Sequence, residues 1–292
     1  MKIVWMAAVL FAAVPLTAQP LQGVVDIHVH CDPDSRPRSI DAIDMARLAK
    51  SRGMRAFVLK NHFEPTASLA YIVRKEVPGI EVFGGIDLNR TVGGINPSAV
   101  ENMVHVKGGW GRVIWMPTFD AEHDKIAGEH PRPTVPVARN GQLLPEVKEV
   151  IGLAARHKLM LETGHSAPEE GLLIVREAHR QGVPHTVVTH AMLVGMTIPQ
   201  MQQAAKEGAY IEFVYNALIG REKKFDIADY TKAIRAVGPE FCILASDLGQ
   251  QGNPLPPDGL AAFLGLLKKQ GFTDAEIRLM SQTNPARALG LP

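Results

Sequence analysis

Val24-Val25-Asp26-Ile27-His28-Val29-His30 alternates in chemical character along its length. On an extended strand Asp26, His28 and His30 share one face, and Val25, Ile27 and Val29 share the other. Two histidines so spaced lie about 6.6 Å apart at Cα, close enough for their imidazoles to converge on one metal ion. A His-x-His pair alone is unspecific. Its company makes it informative. Of 11 histidines, five (His28, His30, His62, His165 and His190) fall at or just past the ends of β-type runs. Asp247 ends another such run, and Lys60 ends the run beside His62. Imidazoles with a carboxylate are the donor set of a divalent-metal site. A carboxylate placed there can ligate the metal or take a proton from an activated water. Glu162 and Asp87 are spare carboxylates at similar positions, with packing as their plainer role.

These residues need a scaffold that brings many strand ends together. Apolar β-type runs recur at Val24–His30, Ala56–Lys60, Glu81–Ile86, Arg112–Met116, Leu159–Thr163, Thr186–His190, Tyr210–Tyr215 and Phe241–Asp247. Helical patterns separate them at Asp41–Ser51, Pro145–His157, Pro168–Gln181 and Pro257–Gln270, and Thr273–Gln282 closes the chain. A strand–helix unit takes about 30 residues, so eight such strands predict an α/β fold of the (β/α)8 TIM-barrel type. Active sites of that fold sit at the C-terminal strand ends, where the five histidines fall. Residues 19–292 then form a single barrel domain. The long interval 117–144 follows the fourth strand and contains Asn140-Gly141 between apolar residues, a hairpin signal. It reads as a lid-like insertion over the active face, or as decoration. Cys31 and Cys242 fall at opposite ends of the sheet, out of reach of a disulfide.

With these pieces in place the chain resembles the metal-dependent amidohydrolase superfamily. The matching pieces are Asp26-Ile27-His28-Val29-His30, His165, His190, Ala245-Ser246-Asp247 and the closing Thr283-Asn284-Pro285-Ala286-Arg287-Ala288-Leu289-Gly290-Leu291. The resemblance implies that His28, His30, His165 and His190 bind one or two divalent ions, zinc first among them, and that Asp247 is both ligand and general base. It implies hydrolysis of a small-molecule amide, ester or lactone, or the related decarboxylation. One departure is plain. Many relatives carry Lys or Glu at the end of strand four, the Lys often carboxylated, and here that strand reads Val113-Ile114-Trp115-Met116-Pro117-Thr118. Lys60, counted with Asp247 as catalytic, is the candidate to take that part as a carbamate or to meet substrate as a cation. His62 is assigned to substrate binding. Leu48 to His62 also resembles the second motif of the polymerase-and-histidinol-phosphatase family, which would make the chain a phosphoesterase. A non-catalytic metal-binding barrel is the third reading.

The N-terminus and the totals limit the partners. Met1-Lys2, an apolar stretch from Ile3 to Leu16 and Thr17-Ala18 read as a signal peptide at 1–18, giving a secreted or periplasmic protein without stable membrane insertion. The stretch is shorter than the roughly 20 residues needed to span a bilayer. The full chain has 31 Lys+Arg against 30 Asp+Glu, and loss of Lys2 makes the two equal. That balance offers no footprint for nucleic acid. The expected partner is a small molecule. Oligomeric state has no signature in the sequence.

Overall fold

The computed structural model describes residues 21–123 and 133–292, the side chain of residue 222 apart. The predicted signal peptide and the middle of the 117–144 insertion lie outside the described residues.

Eight parallel strands run in chain order around the sheet: β1 (Val25–Val29), β2 (Ala56–Leu59), β3 (Glu81–Asp87), β4 (Gly111–Trp115), β7 (Met160–Glu162), β8 (His185–Val188), β9 (Ala209–Val214) and β10 (Cys242–Ala245). The short antiparallel pair β5 (Ala138–Arg139) and β6 (Gln142–Leu143) stands apart. The last barrel strand returns to the first. Val29 and Leu248 form a parallel bridge. Asp247 N–H donates to His28 O at 2.9 Å, and His30 N–H donates to Leu248 O at 2.9 Å. This is the eight-stranded α/β barrel that the strand spacing predicts.

Helices α1 (Ala42–Ser51), α2 (Ala67–Glu76), α3 (Pro97–Val104), α4 (Pro145–His157), α5 (Pro168–Gln181), α6 (Ile198–Lys206), α7 (Ile227–Val237) and α8 (Pro256–Lys269) pack outside the strands. Their ends follow local chemistry. Asp41 caps α1 by accepting from Ile43 N–H and Asp44 N–H. Proline opens α4 and α5, where its missing N–H costs nothing, and left-handed Lys158 and Gly182 close them. Apolar residues between strands and helices form the core. Ile27, Val58, Phe213 and Leu244 are fully or almost fully buried there.

The C-terminal segment departs from the single helix expected at Thr273–Gln282. It forms α9 (Asp274–Arg278), a π-helical turn at Leu279–Thr283 and α10 (Asn284–Ala288). Pro285 has no N–H for an ordinary helical bond, and its ring would clash with the carbonyl four residues back. The wider turn, closed by Asn284 N–H on Leu279 O, lets the chain continue through it.

The described arms of the insertion are tied down. Val135 N–H donates to Asp120 O at 2.8 Å, and Arg90 N–H to Asp120 Oδ2 at 2.9 Å. The predicted hairpin forms between β5 and β6, with Asn140 and Gly141 both at positive φ. Both cysteines are buried and free. Among the described residues no helix is long and apolar enough to cross a membrane.

Candidate metal centre

The strand ends gather five imidazoles into a closed circuit. Ring centroids are 5.3 Å apart for His28–His30, 4.9 Å for His30–His62, 6.5 Å for His62–His165, 4.8 Å for His165–His190 and 5.9 Å for His190–His28. These are the five histidines picked out from the sequence. The strands that carry them end sooner than the apolar runs suggest. Pairing stops at Val29, Leu59, Glu162, Val188 and Ala245, so His30, Lys60, His165, His190 and Asp247 lie just beyond it. The chain there takes uncommon backbone. His190 has φ 25° and Asp247 φ 51°, the left-handed region that non-glycine residues rarely adopt. Such strain persists where the surroundings over-determine it, typically at functional sites. Gly164 has φ +60°, and a Cβ there would lie 2.1 Å from Met116 O, so only glycine lets the β7 end press against β4. That approach carries His165 N–H to Pro117 O at 2.9 Å.

Asp247 Oδ1 lies 3.2 Å from His28 Nε2 and 3.0 Å from His30 Nε2. The opposite ring nitrogens are held from behind. His30 Nδ1 donates to the Lys60 carbonyl at 2.7 Å, and His28 Nδ1 faces Glu212 Oε1 at 3.0 Å. A carbonyl accepts only, so the proton of a neutral His30 sits on Nδ1. Its Nε2 lone pair then faces the Asp247 carboxylate, acceptor against acceptor. A shared cation resolves that contact, and this second-layer support is the usual arrangement behind a metal-binding imidazole. His190 Nε2 and His165 Nε2 meet at 3.2 Å, and His190 Nδ1 is buried without a partner. Asp26 Oδ2, Asp87 Oδ1 and Glu162 Oε1 are likewise buried and unpartnered. His28, His30 and Asp247 place one donor atom each within 4.8 Å of one another, as do His28, Glu162 and Glu212. The donor set, the facing lone pairs and the orphaned oxygens all fit a divalent ion.

Lys60 is fully buried against the circuit, with Nζ 3.1 Å from His28 Nε2 and 5.4 Å from the centre of the Trp115 ring. His62 Nδ1 lies 2.9 Å from Thr118 Oγ1 and 3.1 Å from Asp87 Oδ2. Asn89 donates to both Thr118 Oγ1 and the His62 carbonyl, fixing this corner. Sequence reading missed Glu212. One oxygen holds the His28 ring, and the other accepts from His190 N–H at 2.7 Å. Its only trace is a lone carboxylate between Ile211 and Phe213 in a strand that is otherwise free of charge.

Burial lowers His28, His30 and His190 to about 3 and takes His62 well below its usual value. Burial also raises Asp87 to about 6, Asp26 and Glu212 to about 7, and Glu162 well above the ordinary range. Each raised carboxyl costs the fold stability as pH climbs from about 4 through its raised value, about 6 for Asp87 and about 7 for Asp26 and Glu212. Each lowered imidazole costs stability as pH falls from about 6.5 towards 3. The metal-free protein is therefore expected to be most stable in weak acid and to weaken on both sides. A divalent ion competes with protons for these groups. Chelation should lower Tm more near pH 8 than near pH 6, which a thermal-shift series reads directly. An equal drop at both would separate the cluster from metal binding.

The description "Family of unknown function (DUF6282)" matches residues 23–212, a stretch that includes all five histidines, Lys60 and Glu212. No curated protein matches the sequence. Several solved structures share the fold. An amidohydrolase from Pseudomonas aeruginosa superposes with TM-score 0.64 at 14% identity, covering 92% of this chain and 95% of that one. An organophosphorus hydrolase from Deinococcus radiodurans gives 0.60 at 15%, covering 94% and 93%. A 2,6-dihydroxybenzoate decarboxylase from Rhizobium gives 0.59 at 13%, covering 92% and 99%. At these identities the likeness is one of fold, and it is the fold that the amidohydrolase resemblance implied. The resemblance to the polymerase-and-histidinol-phosphatase family finds no support among these structures, and the barrel has eight strands.

Proposed function

We propose that this chain, which belongs to the DUF6282 family, is a metal-dependent hydrolase of small-molecule amides, esters or lactones. The observation that carries the reading is the convergence of His28 Nε2, His30 Nε2 and Asp247 Oδ1 with no proton available between His30 and Asp247. His28, His30 and Asp247 are the residues assigned to hold a divalent ion, zinc by preference for its nitrogen-rich donor set, and His165 and His190 are assigned to a second position beside it. Such an ion, when bound, supplies Lewis acidity to the electrophile and acidifies water.

The remaining chemistry belongs to the chain. Asp247 accepts the proton of the attacking water and returns it to the leaving group. Burial pushes its carboxyl pKa up, and positive charge at the His28–His30 position more than reverses that, so it works as a carboxylate. Glu212 and the Lys60 carbonyl hold the two rings in register, so their outer nitrogens stay aimed at one point. Lys60 places a positive charge below the site, against His28, and His62 borders the space where substrate lies.

The test is stoichiometry. His28→Ala and His30→Ala should each lose most of the bound divalent ion by elemental analysis, with Tm no longer responsive to chelator. Full metal content in both variants would remove these histidines from the site.

A further inference from the structure

One imidazole of the circuit lies outside both assigned metal positions. His62 follows β2 and is almost wholly buried. Its ring packs against that of His30, 4.9 Å away and 26° from parallel, and against that of Phe119, 4.1 Å away. It belongs to neither three-donor cluster of the described residues. Yet 6% of its side chain stays accessible, so the ring is not sealed off.

The hydrogen bonds behind His62 fix where its proton sits. Thr118 N–H and Asp120 N–H donate to Asn89 Oδ1, at 3.0 and 3.1 Å. Those two bonds orient the Asn89 amide, whose nitrogen can only donate. It donates to Thr118 Oγ1 at 2.8 Å and to the His62 carbonyl at 2.7 Å. The Thr118 hydroxyl accepts there, and its own proton points to Asp87 Oδ2 at 3.4 Å. His62 Nδ1 lies 2.9 Å from Thr118 Oγ1 and 3.1 Å from Asp87 Oδ2. A proton on Nδ1 serves both oxygens. A bare Nδ1 would set its lone pair against the Asp87 carboxylate, acceptor against acceptor. The proton of the neutral ring is therefore on Nδ1. That leaves Nε2 as a lone pair, and it has no hydrogen-bond partner among the described residues.

We propose that His62 is the specificity-determining residue of this site, and that its Nε2 accepts a hydrogen bond from an N–H next to the scissile carbonyl. The substrate is then an amide or lactam that retains an N–H. An ester or lactone would bring an oxygen lone pair to the same place. A buried acceptor that must stay unpaired disfavours such a ligand, which is how a polar site rejects an analogue lacking one donor. This assignment rests on the histidine circuit being the reaction centre, and its test needs no turnover.

Acetohydroxamate and N-methylacetohydroxamate are matched probes. Both hold a divalent ion through two oxygens, and only the first has an N–H beside its carbonyl. In calorimetry on the zinc-loaded full chain, acetohydroxamate should bind at least about tenfold more tightly. His62→Phe keeps a ring in the stack and removes the acceptor. It should bring the two probes to one affinity and keep the wild-type metal content. Nitrogen NMR of the His62 ring in the wild type reads the tautomer whether or not the variant folds, with Nδ1 protonated and Nε2 bare as the expected result. Equal affinities in the wild type, a preference that survives in His62→Phe, metal loss from that variant, or a proton on Nε2 would overturn the proposal and leave the metal centre standing. Binding of neither probe by protein that holds its zinc would overturn the metal-centred reading along with it.

Discussion

Asp247→Asn should lower kcat by about 10³-fold, within the range that general acid–base groups contribute, while the protein keeps most of its metal through His28 and His30. The same substitution should raise the stability of the metal-free protein. In the wild type the Asp247 carboxylate faces the His30 Nε2 lone pair at 3.0 Å, two acceptors in contact. The amide introduced there can donate to that nitrogen. Position 247 also sits at φ 51°, where Asn is among the best-tolerated residues. Steady-state kinetics and melting of chelated protein, measured together, test both halves. A variant with wild-type kcat would dismiss Asp247 as the base. A variant that is slow and also melts earlier would show that the carboxylate supports the fold.

The second large effect is expected at Lys60. Asp26, Asp87, Glu162, Glu212 and Asp247 are buried carboxyls of the barrel interior and its rim. Lys60 lies among them, and its charge lowers the pKa of Asp87, Glu162 and Glu212 against the upward push of burial. Removing one partner from a buried ionic cluster typically costs about 3–5 kcal/mol. Lys60→Met should therefore destabilise the metal-free protein by that order near pH 8. The loss should shrink near pH 6, where Asp87 and Glu212 take up protons and no longer need a cation. Urea unfolding at the two pH values measures the difference. Equal stability of variant and wild type near pH 8 would mean that the amine does not compensate these carboxyls. Intact mass of the loaded protein, before and after acid, separately reports whether Lys60 carries a carbamate.

Much of the fold and of the site is legible in the sequence. The alternation from Val24 to His30 specifies a strand with one polar face, and a polar face inside a barrel requires something to satisfy it. Helices α4 and α5 begin and end where expected because proline, glycine and a left-handed lysine mark their ends locally. What the sequence hides is support that crosses long distances or runs through the backbone. Glu212 holds a ring 184 positions away, and no local pattern announces that partner. The second support, the Lys60 carbonyl, has no side-chain signature at all. The π-helical turn at Leu279–Thr283 is hidden for another reason, since its cause, Pro285, lies beyond the expected helix Thr273–Gln282.

The place where the barrel meets itself has a consequence for how the protein comes together. The bonds that join the last strand to the first, Asp247 N–H to His28 O and His30 N–H to Leu248 O, involve all three residues of the candidate ligand cluster His28, His30 and Asp247. Joining them spans more than two hundred positions of chain, the kind of contact that forms late because its loop entropy is met last. No partly folded intermediate that lacks β10 can hold the complete donor set. On the proposed function, metal affinity would report on topology: an ion seated between His28, His30 and Asp247 would act as a clasp across the final seam. Local opening of that seam, the cheapest way to unzip a closed sheet, would empty the site before any helix melts.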